Sequence, residues 1–152
     1  MMEISFTQKS FAELETYELY EILKLRTEVF IVEQNCPYQD EDDKDQLAVH
    51  IMGWDGKILV AYARIFPAGV YFRNASISRV IIRPGYRSTG SGHELMDASI
   101  FALNDRFSEY EIEISAQAHL QRFYEHHLFS QVSEPYLEDG IPHIRMVRSL
   151  RP

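Results

Sequence analysis

The fold is decided by the stretch Arg87-Ser88-Thr89-Gly90-Ser91-Gly92, which joins a β-branched run at residues 75–82 to a helical pattern that starts near Gly92. The upstream run favours a strand, and the Pro-Gly pair at residues 84–85 ends it. Glycines allow a backbone to approach an anion closely, and the first turn of the following helix presents free N–H groups and a positive dipole end. The stretch therefore predicts a pyrophosphate-binding turn, and we expect the chemistry to lie close to it.

Outward from this turn, hydrophobic periodicity predicts the remaining elements. Downstream come a helix at residues 90–107, a strand at 110–116, a short helix at 119–127 and a hairpin whose strands at 131–137 and 141–150 flank Glu138-Asp139-Gly140. Upstream come a strand at 4–7, a helix that begins at the capping-box spacing of 10–13 or near Thr16, a polar loop at 35–46, and strands at 48–54, 58–66 and 75–83. The order β-α-β-β-β-α-β-α-β-β indicates one domain over residues 1–152, in which helices cover a mixed α/β sheet.

The charge of the chain limits its partners. The 152 residues carry a formal net charge of −8, and acidic residues concentrate in the run at residues 40–45. A nucleic-acid backbone is therefore excluded as a general partner, whereas long-range attraction slightly favours a cationic acceptor. We interpret the acidic run itself as a solvated loop.

Cysteine content and hydropathy indicate the compartment. The single Cys36 excludes an internal disulfide and is interpreted as a plain, buried or half-buried thiol in a reducing cytosol. No segment approaches the ~20 apolar residues of a membrane span, and residues 1–5 lack the features of a signal peptide. We therefore expect a cytoplasmic protein with no membrane partner. Two copies could pair through exposed strand edges, so a homodimer is possible.

The glycine turn also carries a family pattern. Arg87, Gly90 and Gly92 match Arg/Gln-x-x-Gly-x-Gly/Ala, and in this the chain resembles the GNAT superfamily of acyl-CoA-dependent N-acetyltransferases. Three further stretches resemble the signatures of the ElaA-like subfamily, at residues 25–40, 116–121 and 136–143. The resemblance implies an α/β (α+β) fold with a mixed, mostly antiparallel sheet of six to seven strands flanked by about four helices. It also implies acetyl-CoA as the co-substrate.

The resemblance further implies roles for individual residues. Backbone groups of Val80, Ile81 and Ile82 would bind the pantetheine arm as a pseudo-strand, and the Tyr124 hydroxyl would point at the thioester sulfur. The pyrophosphate would be held, mainly through backbone amides, by the turn made of Arg87, Ser88, Thr89, Gly90, Ser91 and Gly92. The side chain of Arg87 either adds a charge-assisted contact or is simply solvated, and Tyr124 has the alternative interpretation of a core tyrosine.

Acyl transfer needs a neutral amine, stabilisation of negative charge on the carbonyl oxygen and a proton for the departing thiolate. A phenol of ordinary pKa near 10 stays protonated at pH 7, so Tyr124 is predicted to supply that proton. The amide of Ile82 is the expected donor to the oxyanion. The general base is predicted to be His119 or Glu33, with proton loss through water as the alternative. His119 is equally explained as a helix cap, and Glu33 as an ion-pair partner of Arg79.

Two positions need separate interpretation. Arg79 interrupts an otherwise apolar strand, so it either pairs with Glu33 or receives a carboxylate from an amino-acid-like or peptide-like acceptor. Leu128 stands where many relatives have a glycine. If the turn there requires a positive φ, Leu128 is strained or the turn is reshaped, and the placement of Tyr124 changes.

Other site chemistries fail on their motifs. His93-Glu94 lacks the second histidine of a zinc-protease helix, and the acidic run lacks the glycine and final glutamate of a calcium loop, so we predict no metal. The glycine turn matches neither an ATP-binding loop nor a dinucleotide fingerprint. The predicted function is direct transfer of an acetyl group from acetyl-CoA to a primary amine of a small molecule or peptide, in a ternary complex. The alternative is a catalytically silent acyl-CoA-binding sensor.

Overall fold

The computed structural model describes residues 3–150. Within them, eight strands follow one another as β1 (Ser5–Ser10), β2 (Val49–Asp55), β3 (Ile58–Phe66), β4 (Ala75–Ile82), β5 (Glu111–Gln117), β6 (Ser130–Gln131), β7 (Tyr136–Glu138) and β8 (Ile141–Ser149). The α-helices are α1 (Thr16–Arg26), α2 (Ser91–Phe107) and α3 (Gln121–His126), and α1 continues into a π-helix over Thr27–Glu33. The 3₁₀ turns are Phe11–Glu13, Asp45–Leu47 and Ala118–Leu120.

The strands form one open sheet in the spatial order β1-β2-β3-β4-β5-β8-β6, and β7 also pairs with β8. Every pairing is antiparallel except that of β4 with β5. The predicted α/β fold with a mixed, mostly antiparallel sheet is confirmed. The strand predicted at 131–137 is divided into β6 and β7, and Pro135, which lacks a backbone N–H, lies in the interruption.

Helices cover both faces of this sheet. Side chains packed on the α2 face include Ala63, Leu95 and Leu103, and those on the α1 face include Ile22 and Tyr62. Strands β2 and β3 are buried along almost their whole length, as expected for central strands covered on both sides. A ligand site must therefore form where neighbouring strands separate.

The first helix does not stay α-helical to its end. The predicted capping box closes the first 3₁₀ turn, where the Ser10 amide donates to Glu13 Oε1 at 2.9 Å, and α1 itself begins at Thr16. After Arg26 the hydrogen bonding widens into the π-helix. Such segments are rare and concentrate at functional sites. This one places Glu33 on the wall of the cavity described below.

The acidic run is not the solvated loop that its composition predicts. Asp40 and Asp45 are buried, and their carboxylates lie 2.6 Å and 2.7 Å from the Arg26 guanidinium. The fully buried Arg64 donates to Asp45 at 2.8 Å and to Asp42 at 2.5 Å. Burial by itself would raise the pKa of Asp42, but the hydrogen bonds and charge of Arg64 outweigh burial and lower it to about 2. The solvated-loop interpretation is therefore wrong for Asp40, Asp42 and Asp45, which supply the acidic half of a buried ion network, whereas Glu41 and Asp43 are exposed.

The remaining expectations concern Cys36, membranes and metals. Cys36 is half-buried, and its thiol donates to the Asp139 carbonyl at 3.1 Å. That bond joins the segment after the π-helix to the β7–β8 turn. None of the described helices is both long and apolar enough to cross a membrane. Across residues 3–150, no cluster of three or more His, Cys, Asp or Glu side chains is arranged to hold a metal ion.

Candidate active site

A cavity of about 870 Å³ opens where β4 and β5 separate. These parallel strands pair only at Ala75 with Ile112 and at Ser76 with Glu113. Beyond that point the C-terminal halves of β4 and β5 form two walls of the cavity, and the π-helix and the β7–β8 hairpin contribute the others. A strand edge without a partner strand presents unpaired N–H and C=O groups. The cavity therefore has a backbone wall that can bind an extended ligand.

A β-bulge shapes this wall. The register between β3 and β4 shifts at the middle of β4, and Arg79 there has a φ of +54°. Bulges re-aim strands and are common beside active sites. Past the bulge, the Arg83 amide donates to the Val60 carbonyl of β3 at 2.8 Å. Because successive amides of a strand point to opposite edges, the N–H and C=O of Ile82 point to the cavity, as the proposed oxyanion donor requires.

The turn between β4 and α2 has the backbone of an anion-binding nest. Ser88 has a φ of +64° and Gly90 a φ of +85°, and no side chain caps α2 at Gly90. Within residues 3–150, no acceptor takes the amides of Ser88, Thr89 or Gly90. The Thr89 hydroxyl instead donates to the Tyr86 carbonyl at 2.8 Å and lies 2.7 Å from Ser91 Oγ. The hydroxyls thus stabilise the turn, and its amides stay open to a negatively charged ligand.

Gly92 is explained by packing. A Cβ at this position would lie 3.1 Å from Cε1 of Phe123 in α3, which is tighter than ordinary van der Waals contact. The sequence predicts the close approach of an anion at Gly92, and the glycine also allows the contact between α2 and α3. That contact holds α3, and with it Tyr124, against the start of α2.

Arg87 and Glu33 pair across the open edge of β4. Arg87 donates to both Glu33 carboxylate oxygens at 2.6 Å and 2.7 Å, and its Nε donates to the Ile82 carbonyl at 2.9 Å. These hydrogen bonds hold the pKa of Glu33 below its usual range, which makes Glu33 a weak base. The suggested pairing of Glu33 with Arg79 is wrong, because Arg79 Nε lies 2.8 Å from Asp40.

Tyr124 presents an unpartnered hydroxyl to the cavity. The residue lines the cavity and is only 6% exposed. Its hydroxyl makes no hydrogen bond within the described residues, yet the oxygen is not sealed from the cavity. Burial raises the pKa of the phenol above its ordinary value, so the hydroxyl stays protonated at neutral pH. It can therefore donate a proton to a ligand in the cavity.

The turn after α3 shows how Tyr124 is held. Leu128 has a φ of +70°, its amide donates to the Glu125 carbonyl at 2.9 Å, and the Phe129 amide donates to the Tyr124 carbonyl at 3.2 Å. This pair of bonds is a Schellman motif, in which the position of Leu128 is usually glycine. The positive φ expected from relatives is thus retained with a strained leucine, and the turn is not reshaped.

Side chains from distant segments build the other end of the cavity. His119 is exposed at the rim, on the 3₁₀ turn after β5, and Arg79 extends from the bulge. The sequence analysis did not single out several other lining residues, namely Tyr38, Tyr71, Phe72, Ser115, Glu138 and His143. The signal that could have found Glu138 and His143 is the alternation of the predicted hairpin, which places them on one face of its two strands.

Known proteins share this architecture. A profile described as an Acetyltransferase (GNAT) domain matches residues 13–150. Protein ElaA of Escherichia coli K12 is 43% identical over 141 residues, which cover 91% of this chain and 92% of that protein. The crystal structure of an acyl-CoA N-acyltransferase from Pseudomonas aeruginosa gives a TM-score of 0.92 at 41% identity, covering 97% of this chain and 100% of that chain. The crystal structure of E. coli ElaA gives 0.91 at 40% identity, with the same coverage. The chain therefore belongs to the GNAT family, in its ElaA-like branch, and is an acyltransferase whose acyl donor is acyl-CoA.

Proposed function

We propose that this protein is an acetyl-CoA-dependent N-acetyltransferase that transfers acetyl directly to a primary amine while both substrates are bound. One observation supports this most strongly. The free edge of β4, the nest before α2 and the unpartnered Tyr124 hydroxyl all face a single cavity. An extended ligand with a pyrophosphate at one end and a reactive thioester at the other matches that order of groups.

The residues that would hold acetyl-CoA suit its chemistry. Val80 and Ile82 offer backbone groups to the amides of the pantetheine arm, and the turn at residues 87–92 offers amides to the pyrophosphate. The predicted contribution of Ile81 is wrong, because its backbone groups point to Tyr62 of β3. Arg87 can add a contact to phosphate once its guanidinium leaves Glu33 and the Ile82 carbonyl. Binding of the donor is therefore coupled to opening of this ion pair.

The acid and the oxyanion donor follow from the same geometry. Acetyl-CoA supplies the acetyl group as a thioester, whose sulfur needs a proton as the carbon–sulfur bond breaks. The Tyr124 hydroxyl can donate that proton, because it is protonated at neutral pH and makes no other hydrogen bond within the described residues. Its raised pKa makes it a weak acid, so the transfer takes place only as negative charge develops on the sulfur. The Ile82 amide points into the cavity and can stabilise negative charge on the carbonyl oxygen.

The two base candidates from sequence differ in the structure. Glu33 is held in its carboxylate form by Arg87, so it has little tendency to take a proton. His119 lies at the rim, where no hydrogen bond within the described residues orients its ring. Arg79 already faces Asp40, so a carboxylate on the acceptor would have to compete with that aspartate. Proton loss through water therefore stands as the alternative to both base candidates.

Ligand-dependent thermal unfolding tests this function first. Acetyl-CoA or CoA at ~100 times its dissociation constant should stabilise the fold by about 2.7 kcal/mol, whereas ATP and NAD should not. Release of free thiol from acetyl-CoA is then followed with a panel of primary amines. Amine-dependent release supports the transferase, stabilisation without release supports the silent sensor, and no CoA-dependent stabilisation contradicts both.

A further inference from the structure

A histidine and a carboxylate that play no part in the mechanism above face each other in the acceptor half of the cavity, which is the end lined by side chains of the π-helix region, the bulge, β5 and the β7–β8 hairpin. His143 is 6% exposed, and its Nε2 lies 3.5 Å from Oε2 of Glu138. The Tyr136 ring stacks on the imidazole with centroids 6.2 Å apart. All three residues lie on the β7–β8 hairpin, and Glu138 and His143 line the cavity that also contains Tyr124.

The hydrogen bond on the other ring nitrogen decides what His143 offers. Its Nδ1 lies 2.7 Å from the Ile141 carbonyl oxygen, which can only accept, so Nδ1 carries the hydrogen. In the neutral ring Nε2 is therefore an acceptor, and the Glu138 oxygen opposite is also an acceptor. Nε2 makes no hydrogen bond within residues 3–150, yet it is not sealed from the cavity. A ligand donor placed between the two atoms can hydrogen-bond to both of them at once.

The hairpin fixes this pair in position. Tyr136 lies opposite His143 in the β7–β8 register. Ser115 of β5 donates to Oε1 of Glu138 at 3.1 Å, and its Oγ lies 2.5 Å from the Tyr136 hydroxyl. One carboxylate oxygen of Glu138 is therefore anchored and the other remains directed at Nε2.

The charges around the pair select the sign of the ligand. Arg79 Nε lies 2.8 Å from Asp40 without a hydrogen bond, its Nη2 donates to the Asp40 carbonyl at 3.0 Å, and Arg87 is held by Glu33. Within the described residues, no lysine or arginine lies within ion-pair distance of Glu138, whose side chain is 49% exposed and whose only contact with a titratable group is His143. The uncompensated Glu138 carboxylate therefore favours a cationic ligand over a second carboxylate.

We propose that Glu138 and His143 form the site that binds the acceptor's ammonium group and takes its proton, and that the acceptor is a cationic aliphatic amine, such as a diamine or polyamine, rather than an amino acid. This inference rests on the proposed acetyltransferase function. An aliphatic ammonium has a pKa of about 10.4, so it arrives charged at neutral pH and must lose a proton before it can attack.

Each proton of the acyl transfer can be followed from donor to acceptor. The ammonium gives one proton to Nε2 of His143, which passes it to solvent, and the neutral nitrogen bonds to the carbonyl carbon. The carbon–sulfur bond breaks and the Tyr124 hydroxyl gives its proton to sulfur. The nitrogen loses its second proton, which restores Tyr124. The products are the amide, the CoA thiol and one released proton.

Three acceptors of matched length test the substrate class. Cadaverine, n-pentylamine and 5-aminopentanoate carry the same primary amine and differ in the charge of the far end. We expect kcat/KM to fall in that order, with about tenfold between the first and the last. Equal rates for cadaverine and 5-aminopentanoate would overturn this inference and leave the acetyltransferase standing. Failure of acetyl-CoA to stabilise the protein would instead contradict the proposed function itself.

Variants test the two residues separately. Glu138→Gln should raise KM for cadaverine about tenfold with a smaller change in kcat. His143→Gln should lower kcat, and the loss should shrink for trifluoroethylamine, whose ammonium gives up its proton readily, because that amine needs less help from a base. If His143 had a purely structural role, His143→Gln would lower kcat equally for cadaverine and for trifluoroethylamine. Acetyl-CoA stabilisation should persist in both variants, and Glu134→Gln, on the same segment outside the cavity, is the matched control. If His119→Gln lost activity while His143→Gln kept full activity, the assignment of His143 as the proton acceptor would be overturned.

Discussion

The two halves of the cavity differ in the groups that line them, which are backbone groups in one half and side chains in the other. The donor half consists of backbone: the free edge of β4, the amides of the turn at residues 87–92 and the start of α2. The acceptor half consists of side chains from the π-helix region, the bulge, β5 and the β7–β8 hairpin. Backbone groups are the same whatever the residue, so they suit a ligand that never changes. Side chains can differ between relatives, so they suit the partner that sets specificity.

The acceptor half also depends on a buried support that the donor half lacks. Asp40 contacts both Arg26, inside the fold, and Arg79, on the cavity wall. By contrast, the ion pair of Arg87 with Glu33 is exposed on both sides. Buried pairs are strongly destabilising to break and exposed pairs contribute little. Changes in the two halves should therefore differ in size.

The largest effect is expected at Arg26. Arg26→Met leaves the buried Asp40 and Asp45 without one of their counter-charges, which should lower the free energy of unfolding by about 3 kcal/mol. For a domain of this size the melting temperature should fall by about 8 °C. Thermal unfolding measures this, with the half-exposed Lys24→Met as control. An unchanged melting temperature would show that the network does not support the acceptor wall.

Tyr124→Phe tests the group that stands between the two halves. Loss of the hydroxyl removes the proposed proton donor, so kcat should fall about 100-fold, or about 2.7 kcal/mol in barrier height. Stabilisation by acetyl-CoA should not change, because the proposed contacts to the acyl donor come from backbone groups. Steady-state thiol release measures kcat, and the thermal shift with acetyl-CoA measures binding separately. Unchanged turnover at every pH would remove Tyr124 from the mechanism.

Acid should weaken the support of the acceptor half. The pKa of Asp42 is lowered to about 2, below its value in the unfolded chain, so its contribution is complete above about pH 4 and is lost as the pH falls towards 2. With solvent screening of a side chain that is 26% exposed, we expect about 1.5 kcal/mol. Urea unfolding between pH 5 and 2 measures it. Asp42→Asn should flatten this dependence, and an identical slope in the variant would contradict it.

Leu128→Gly should stabilise the protein. The leucine has a φ of +70°, and a glycine relieves its strain by about 1 kcal/mol. The side chain is 57% exposed, so little buried surface is lost. Denaturant unfolding should show a higher midpoint with the same kcat, because the Schellman motif already holds Tyr124 in place. A large gain in kcat would mean that the leucine disturbs the donor half.

The smallest effect is expected at Glu33. Glu33→Gln removes the charge that holds Arg87, so acetyl-CoA should bind about threefold more tightly, in line with the small contribution of an exposed ion pair. The kcat should not change, because Glu33 already has a lowered pKa and is a weak base. Titration of acetyl-CoA by thermal shift measures the affinity. A large drop in kcat would restore Glu33 as the general base.

Sequence reasoning succeeded where local pattern dictates local structure. The glycine turn between strand and helix, the β2–β3 and β7–β8 hairpins and the α2 helix follow from propensities over a few neighbouring residues, and the structure contains each of them. It failed where the partner lies far along the chain. Residues 40–45 have the composition of a solvated loop, and only contact with Arg26 and Arg64 explains why Asp40 and Asp45 are buried and Asp42 is half-buried.

The difference between local pattern and distant contact also decides which features of the site the sequence determined and which the tertiary structure determined. The sequence alone predicts the turn that presents amides to an anion, because that turn is a contiguous pattern. The resemblance to the GNAT superfamily, carried by this turn and three further stretches, implies Tyr124 as the candidate acid. Tertiary structure alone decided that Arg87 pairs with Glu33, that Arg79 pairs with Asp40, and that His143 faces Glu138. Ion pairing depends on distance in space and on burial, and a linear pattern encodes neither of these.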